Sequence, residues 1–269
     1  MKLKHIYLLI NMSTLIICVV YNTPQFITYQ FRSIKKFFKT SFRYVICDNS
    51  PSIVMSDQIK NECQKLDIGY HRVPNCSSSD ASEGCAKSCQ YSIQHLGINH
   101  PGLVLLIDCD MFFIEYFDIE LHMKDCDLSG IYQMKEHIRY FTNQFLIFNM
   151  NTLKDKASID LSCGIIDNVR VDVGGYLYHY MMNHPEIRIN YIVDYICTNA
   201  YNEKFIRGKI RDKAILSYFL EELHISGPYP ELYLNQCLLH YRSGTNWNKF
   251  SNEIVSKRNI NLFKLLDQR

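Results

Sequence analysis

Apolar and polar positions fall along this chain in blocks that predict strands and helices in turn. Leu15–Tyr21 is a continuous run rich in β-branched residues, the pattern of a strand buried on both faces. Asn22-Thr23-Pro24 then reads as a helix start, with Thr23 as N-cap and Pro24 at the first helical position. Phe26, Ile27, Phe31, Ile34 and Phe38 follow near helical spacing, with Arg32, Lys35, Lys36 and Lys39 on the other side. Tyr44–Cys47 is a second apolar run, ending in the turn Asp48-Asn49-Ser50-Pro51. Strand, helix and strand predict a parallel unit. Ile68–Val73 predicts a third strand and Asn75–Asp80 a polar loop. Ser82–Leu96 predicts a helix with Cys85, Cys89, Ile93 and Leu96 on one stripe and Gly97 at its end. Leu103–Ile107 is the next buried strand.

The pattern changes after residue 113. Leu128–Gln133 and Phe145–Met150 predict strands with no helix between them. Asp172-Val-Gly-Gly precedes a Tyr-rich run to Met182, read as a helix with Asp172 near its start. Arg188–Ile196 predicts a strand, Ile206–Leu223 a helix, Leu232–Tyr241 a strand, and Ile260–Leu266 a terminal helix. With no repeat, low-complexity stretch or linker, the expected organisation is a short leading segment (1–13), one two-lobed domain (14–250, halves 14–113 and 114–250) and a C-terminal helical segment (251–269). The fold class is α/β: a mixed, mostly parallel Rossmann-like sheet flanked by helices, with a smaller second sheet lobe.

Composition narrows this only a little. Apolar residues make up 47% of the 269, ample for a core, and the net charge of +2 points to no nucleic-acid partner. The apolar stretches Ile6–Ile10 and Leu15–Tyr21 are interrupted by Asn11, Ser13 and Thr14, and neither is long enough to cross a bilayer, so a leading segment is favoured over a signal anchor. The 11 cysteines are mostly scattered singly, which favours a reducing compartment such as the cytoplasm. Cys76, Cys85 and Cys89 cluster, but no histidine stands at a zinc-finger interval; Cys85 and Cys89 are expected to share the buried face of a helix.

The candidate chemistry centres on Leu103–Phe113, where the apolar run ends in Asp108-Cys109-Asp110. Strand alternation would point both carboxylates the same way. Together they repel and lose hydration, which a hard divalent cation with open positions would relieve. Tyr21, Asn22, Thr23 and Asp48 follow the first two strands and are expected at the same end of the sheet, where open α/β sheets bind ligands. A third feature is His240-Tyr-Arg-Ser-Gly-Thr-Asn-Trp247. Its imidazole suits manganese, Arg242 offers a fork for phosphate oxygens, and Gly244 lets the backbone approach a ligand. The run Tyr176, Tyr178, Tyr180 is either an acceptor platform or ordinary helix surface and core.

These residues resemble a family. The apolar run ending in Asp108-Cys109-Asp110 is similar to the metal-binding Asp-x-Asp motif of GT-A-fold glycosyltransferases, and Leu15–Ser50 resembles their nucleotide-binding opening. The segment from His240 to Trp247 resembles the C-terminal His-Gly-Trp motif of glycogenin-like transferases. It departs from that motif: Gly244 is one position later, Trp247 one earlier, and the Lys-Pro pair is absent, with Arg242 standing for the lysine. The whole pattern also resembles uncharacterised glycosyltransferases of large DNA viruses and phages, which would place the protein in host cytoplasm or virion. The resemblance implies a nucleotide-sugar donor, most often a UDP-sugar, with Mn²⁺ or Mg²⁺ held by Asp108, Asp110 and His240. It implies donor contacts from Tyr21, Asn22, Thr23, Asp48, Asp108, Arg242, Gly244 and Trp247, with Arg242 also stabilising the leaving diphosphate. An inverting reaction would need a carboxylate base, for which Asp172 is the candidate. In a retaining one Asn143 and Gln144 would line the sugar pocket. The acceptor, whether glycan, protein or lipid, is left open. Two other functions compete: a haloacid-dehalogenase-like phosphotransferase using Asp108 as nucleophile, and a non-catalytic binding protein on a transferase fold.

Overall fold

The structure is a computed structural model that describes residues 13–74, 78, 80–198, 206–225, 230–242, 244 and 250–269. The leading segment, Cys76 and Trp247 therefore lie outside the described residues, save Ser13. In chain order the elements begin with β1 (Thr14–Val20), α1 (Pro24–Phe37), β2 (Phe42–Asp48), α2 (Ile53–Leu66), β3 (Gly69–Arg72), α3 (Ala81–Ser92) and β4 (Leu103–Asp108). Then come β5 (Met111–Phe113), the single turn α4 (Ile119–His122), β6 (Leu128–Lys135), β7 (Ile138–Asn149), β8 (Gly164–Ile166), β9 (Val169–Val171) and α5 (Leu177–Asn183). The last are β10 (Ile189–Ile192), β11 (Tyr195–Thr198), β12 (Ile206–Arg207), α6 (Lys213–Leu223), β13 (Glu231–Tyr233), β14 (Leu238–His240) and α7 (Asn252–Asp267).

The chain forms two compact units. The first takes the described residues up to Pro24, Thr40–Asp108 and Asp118–Val193. It carries a seven-stranded sheet in the order β10-β6-β7-β4-β1-β2-β3. Every neighbouring pair is parallel except those of β7, which runs against both β4 and β6. This is the mixed, mostly parallel sheet expected, with α2, α3 and α5 packed on it. All seven residues of β1 are buried, so its apolar run has no polar alternation. The registers Val20↔Asp48, Asp48↔Arg72 and Val19↔Asp108 bring Asp48, Arg72 and Asp108 level at one edge of the sheet. Asp80 caps α3 by accepting from the backbone N–H groups of Ser82 and Glu83, and a turn of wider π-helix over Ile93–Gly97 follows it.

At the far end of the sheet Asp127 clamps β10 beside β6. Its carboxylate accepts from the Arg188 backbone N–H at 3.0 Å, from Nε at 3.1 Å and from a terminal guanidinium nitrogen at 2.8 Å. Those bonds hold its carboxyl well below the usual range.

The second unit takes Gln25–Lys39, Cys109–Phe117 and Asp194–Arg269. It carries the smaller sheet, β12-β11-β13-β14-β5, antiparallel throughout, with α1, α6 and α7. Phe26 of α1 makes edge contacts with Phe112, Tyr241 and Phe263, and Phe263 stacks on Tyr29 at 4.2 Å. Arg258 of α7 and Glu222 of α6 form a buried pair at 3.0 Å, and the Arg258 guanidinium also donates to the Tyr241 and Arg242 carbonyls. Among the described residues no helix is long and apolar enough to cross a membrane.

Four element readings need correction. The strands after residue 113 are longer, and β6 and β7 meet in a two-residue turn at Glu136-His137, with Glu136 at φ +53° and no glycine or asparagine to announce it. Asn143 and Gln144 therefore lie within β7, not before it. The segment Arg188–Ile196 is two strands, one in each unit, parted at Val193-Asp194. Leu232–Tyr241 is a hairpin, whose turn residues Leu234, Asn235 and Gln236 all have positive φ. Ile206–Leu223 begins as β12, and its helix waits for the Asp212 cap.

Candidate functional site

Asp108 and Asp110 do not share a strand. β4 ends at Asp108, Cys109 and Asp110 form a turn, and β5 then joins the other sheet. Strand alternation therefore says nothing about Asp110, because a chain leaving one sheet for another must turn first.

In the second unit β5 pairs with β14 in the register His240↔Met111. The ladder continues one step, with the Tyr241 N–H donating to the Asp110 carbonyl at 2.9 Å. That register brings His240 beside Asp110: Nε2 stands 3.6 Å from Oδ1. Both are buried, at 2% and 6% exposure. The other carboxylate oxygen, Oδ2, accepts from the Gly244 N–H at 2.8 Å. A Cβ at Gly244 would stand 2.7 Å from both Asp110 Cβ and Phe26 Cε2, so glycine is what allows this approach.

The other side of His240 is fixed as well. Its Nδ1 lies 2.9 Å from Glu231 Oε2, which also accepts from the Tyr233 hydroxyl at 2.9 Å. Arg242 donates to Glu231 Oε1 at 3.2 Å, its side chain still 45% exposed. Burial pushes the Glu231 carboxyl up, but the hydrogen bond and charge of His240, the Arg242 charge and the Tyr233 hydroxyl outweigh it and leave it below the usual range. Arg242 sits at φ +40°, a left-handed backbone whose carbonyl the Arg258 guanidinium holds.

The donor set fits a hard divalent ion. Two ligand atoms about 2.0–2.2 Å from one ion stand about 3–3.6 Å apart, which the observed 3.6 Å matches. A neutral imidazole whose Nδ1 donates to Glu231 carries no hydrogen on Nε2. Among the described residues no group of three His, Cys, Asp or Glu side chains surrounds one metal position. Protein ligands alone would be few, as where substrate phosphates complete the shell.

In the first unit Asp108 Oδ1 accepts from Asn143 Nδ2 at 3.1 Å. Asn143 reaches it from a bulge: pairing between β6 and β7 jumps from Gly130↔Leu146 to Tyr132↔Phe141, so the residues between, Asn143 and Gln144 included, leave the ladder. Asn143 Nδ2 also lies 3.4 and 3.6 Å from the Cys85 and Cys89 sulfurs, themselves 4.0 Å apart on one face of α3 as the helical stripe predicted. Hydrogen bonding to Cys89, then burial, pushes the Cys85 thiol well up. Gln144 accepts from the Thr142 hydroxyl at 3.4 Å. Asp172 is exposed and lies before a run of turns that delays α5 to Leu177; its Oδ1 accepts from its neighbour Val173 N–H, and its own N–H donates to the Tyr140 hydroxyl at 3.4 Å.

At the sheet edge Tyr21 is 43% exposed and Thr23 buried. Asn22, at φ +54°, donates its N–H to Ser50 Oγ, and its Oδ1, like that of Asn49, is buried with no hydrogen-bond partner among the described residues. Asp48 is wholly buried. Its carboxylate accepts from the Ser50 N–H at 2.8 Å and the Tyr70 hydroxyl at 3.0 Å and pairs ionically with the Arg72 guanidinium at 2.9 Å, which donates to the Asp48 and Ser50 carbonyls. Sequence reading missed Tyr70, Arg72, Glu231 and Arg258. Glu231 could have been found only by recognising the β13–β14 hairpin.

No protein-family model and no curated protein matches the sequence. Solved structures resemble its fold at low identity. One is the mannosyltransferase PcManGT from Pyrobaculum calidifontis in complex with GDP-Man and Mn²⁺, at 12% identity and a TM-score of 0.44, over 66% of this chain and 54% of that one. Another is the galactosyltransferase LgtC with donor and acceptor sugar analogues, at 13% identity and a TM-score of 0.38, over 54% of this chain and 62% of that one. A third is the bifunctional glycosyltransferase WbbM, at 9% identity and a TM-score of 0.42, over 67% of this chain and 39% of that one. The chain thus matches less than two thirds of the length of each.

Proposed function

We propose that this chain is a GT-A-type, metal-dependent glycosyltransferase that moves a sugar from a nucleotide-sugar donor, a UDP-sugar by preference, to an acceptor hydroxyl. The observation that carries the reading is the buried pair Asp110–His240, with Oδ1 and Nε2 3.6 Å apart and each side chain held from behind by the protein. In the second unit Asp110 and His240 hold the cation and Arg242 meets the diphosphate. Mn²⁺ or Mg²⁺ there supplies Lewis-acid stabilisation of the departing nucleoside diphosphate. In the first unit Asp108, Tyr21, Asn22 and Thr23 are the donor-side residues. Asp48 supports that edge, since its carboxylate is enclosed by Ser50, Tyr70 and Arg72. Asp172 serves as acceptor base if the reaction inverts. Asn143 and Gln144 line the sugar pocket if it retains.

The test is thermal stabilisation by UDP with Mn²⁺, expected in the wild type and lost in Asp110→Ala, followed by a donor-hydrolysis screen across nucleotide sugars. Stabilisation by beryllofluoride with none from nucleotides would favour the phosphotransferase instead. No response to either would favour a binding protein.

A further inference from the structure

Glu231 carries no motif and opens the first strand of a hairpin that the apolar pattern conceals, yet it touches two of the residues on which the proposed function rests. It stands opposite His240 as a direct cross-strand partner in the antiparallel pair β13–β14, so the hairpin itself delivers the carboxylate to the imidazole. The carboxylate is buried; it accepts from the Tyr233 hydroxyl on Oε2 and from Arg242 on Oε1, and His240 Nδ1 lies 2.9 Å from Oε2.

We propose that Glu231 is a positioning residue that selects the His240 tautomer, holding the proton on Nδ1 so that the Nε2 lone pair faces Asp110 and the cation. An ionised carboxylate only accepts hydrogen bonds, so the nitrogen facing it must carry the hydrogen, and in a neutral ring the other nitrogen then has none. That is the reverse of the tautomer free histidine prefers, so the protein has to impose it. The same carboxylate tethers Arg242 through its other oxygen, which couples the aim of the imidazole to that of the guanidinium. A glutamine of the same shape cannot do both. With its oxygen toward His240, its NH₂ faces the Arg242 donors; flipped, its NH₂ faces Nδ1 and drives the proton to Nε2.

The inference rests on the metal-site reading above, and the experiment separates the two. Long-range ¹H–¹⁵N correlation of metal-free, ¹⁵N-histidine-labelled protein at mildly alkaline pH, with His240 assigned from His240→Ala, reads the tautomer directly. Protonated Nδ1 is expected in the wild type, and a shift to protonated Nε2 in Glu231→Gln. Calorimetric titration with Mn²⁺ in the presence of UDP should show binding weakened about 10- to 100-fold in Glu231→Gln, with the circular dichroism spectrum unchanged. A wild-type ring protonated at Nε2, or Glu231→Gln binding Mn²⁺ as the wild type does, would overturn the inference. If His240→Ala binds Mn²⁺ as well as the wild type, the metal reading fails, while the tautomer result still decides the role of Glu231. Should Glu231→Gln not fold, Tyr233→Phe removes one donor to the same oxygen. It should weaken Mn²⁺ binding a few-fold, and no change would again count against the inference.

Discussion

Asp48 and Asp110 are both buried aspartates that follow apolar runs, one in each unit, and they are held in opposite ways. Asp48 has its carboxylate enclosed by a backbone N–H, a phenol and a guanidinium at 2.8–3.0 Å. Asp110 has one oxygen on the Gly244 N–H, while the other faces His240 Nε2 at 3.6 Å, beyond hydrogen-bond range. A carboxylate saturated by the protein stabilises the fold. One restrained on a single oxygen, with an imidazole nitrogen across from the other, is what the proposed metal site requires. Burial and strand-end position are common to both, so neither distinguishes them; the partners do.

The comparison breaks first at Asp110. Asp110→Asn should lower nucleotide-sugar turnover by about 10²–10³, equivalent to about 3–4 kcal/mol of barrier, with little change in melting temperature, because asparagine can still accept from Gly244. Turnover assays beside thermal melts would show this. Asp48→Ala should do the reverse, costing about 2 kcal/mol of stability in urea unfolding, less than a fully buried pair would because Arg72 is partly exposed. If Asp48→Ala instead left stability untouched and removed UDP binding, the distinction would fail. Gly244→Ala sharpens it: the added methyl meets Asp110 and Phe26 at 2.7 Å, and overpacking should cost about 1–3 kcal/mol while weakening Mn²⁺ binding by calorimetry.

The smallest effect concerns Asp127, a saturated carboxylate like Asp48. Arg188 holds its folded-state carboxyl below the ordinary value, so the stability it contributes is present above about pH 4 and is lost as the pH falls further. Arg188→Met should flatten that acid limb of the stability curve only slightly, since the arginine is largely exposed. Melting temperatures across the acid range would measure it.

What could be read from the sequence divides along the same line. The first unit announces itself because parallel strands buried on both faces need long apolar runs, such as Leu15–Tyr21 and Leu103–Ile107, and helices between them need caps. The short antiparallel strands of the second unit are two to four residues long, too few to show a period, and their turn at Leu234–Gln236 uses none of the residues that favour positive φ except Asn235. The β8–β9 hairpin did carry a signal, Asp167-Asn168, both at positive φ, between two apolar pairs. Asp110, His240 and Gly244 stand out in the sequence through their chemistry and through motifs that resemble a known family. Glu231 does not, because its meaning depends on a register that only the folded hairpin reveals.

The edge contacts of Phe26 bear on how the chain is made. Phe26 emerges early in synthesis, but one of the rings that bury it, Phe263, follows more than two hundred residues later. At about 5–20 residues per second a ribosome needs on the order of ten seconds or more to cover that interval. Throughout it the apolar stripe of α1 lacks part of its permanent cover, which makes the nascent chain a client for holding chaperones. A chain stopped before α7 would keep Phe26 without the Phe263 part of its cover and should aggregate more readily through that stripe.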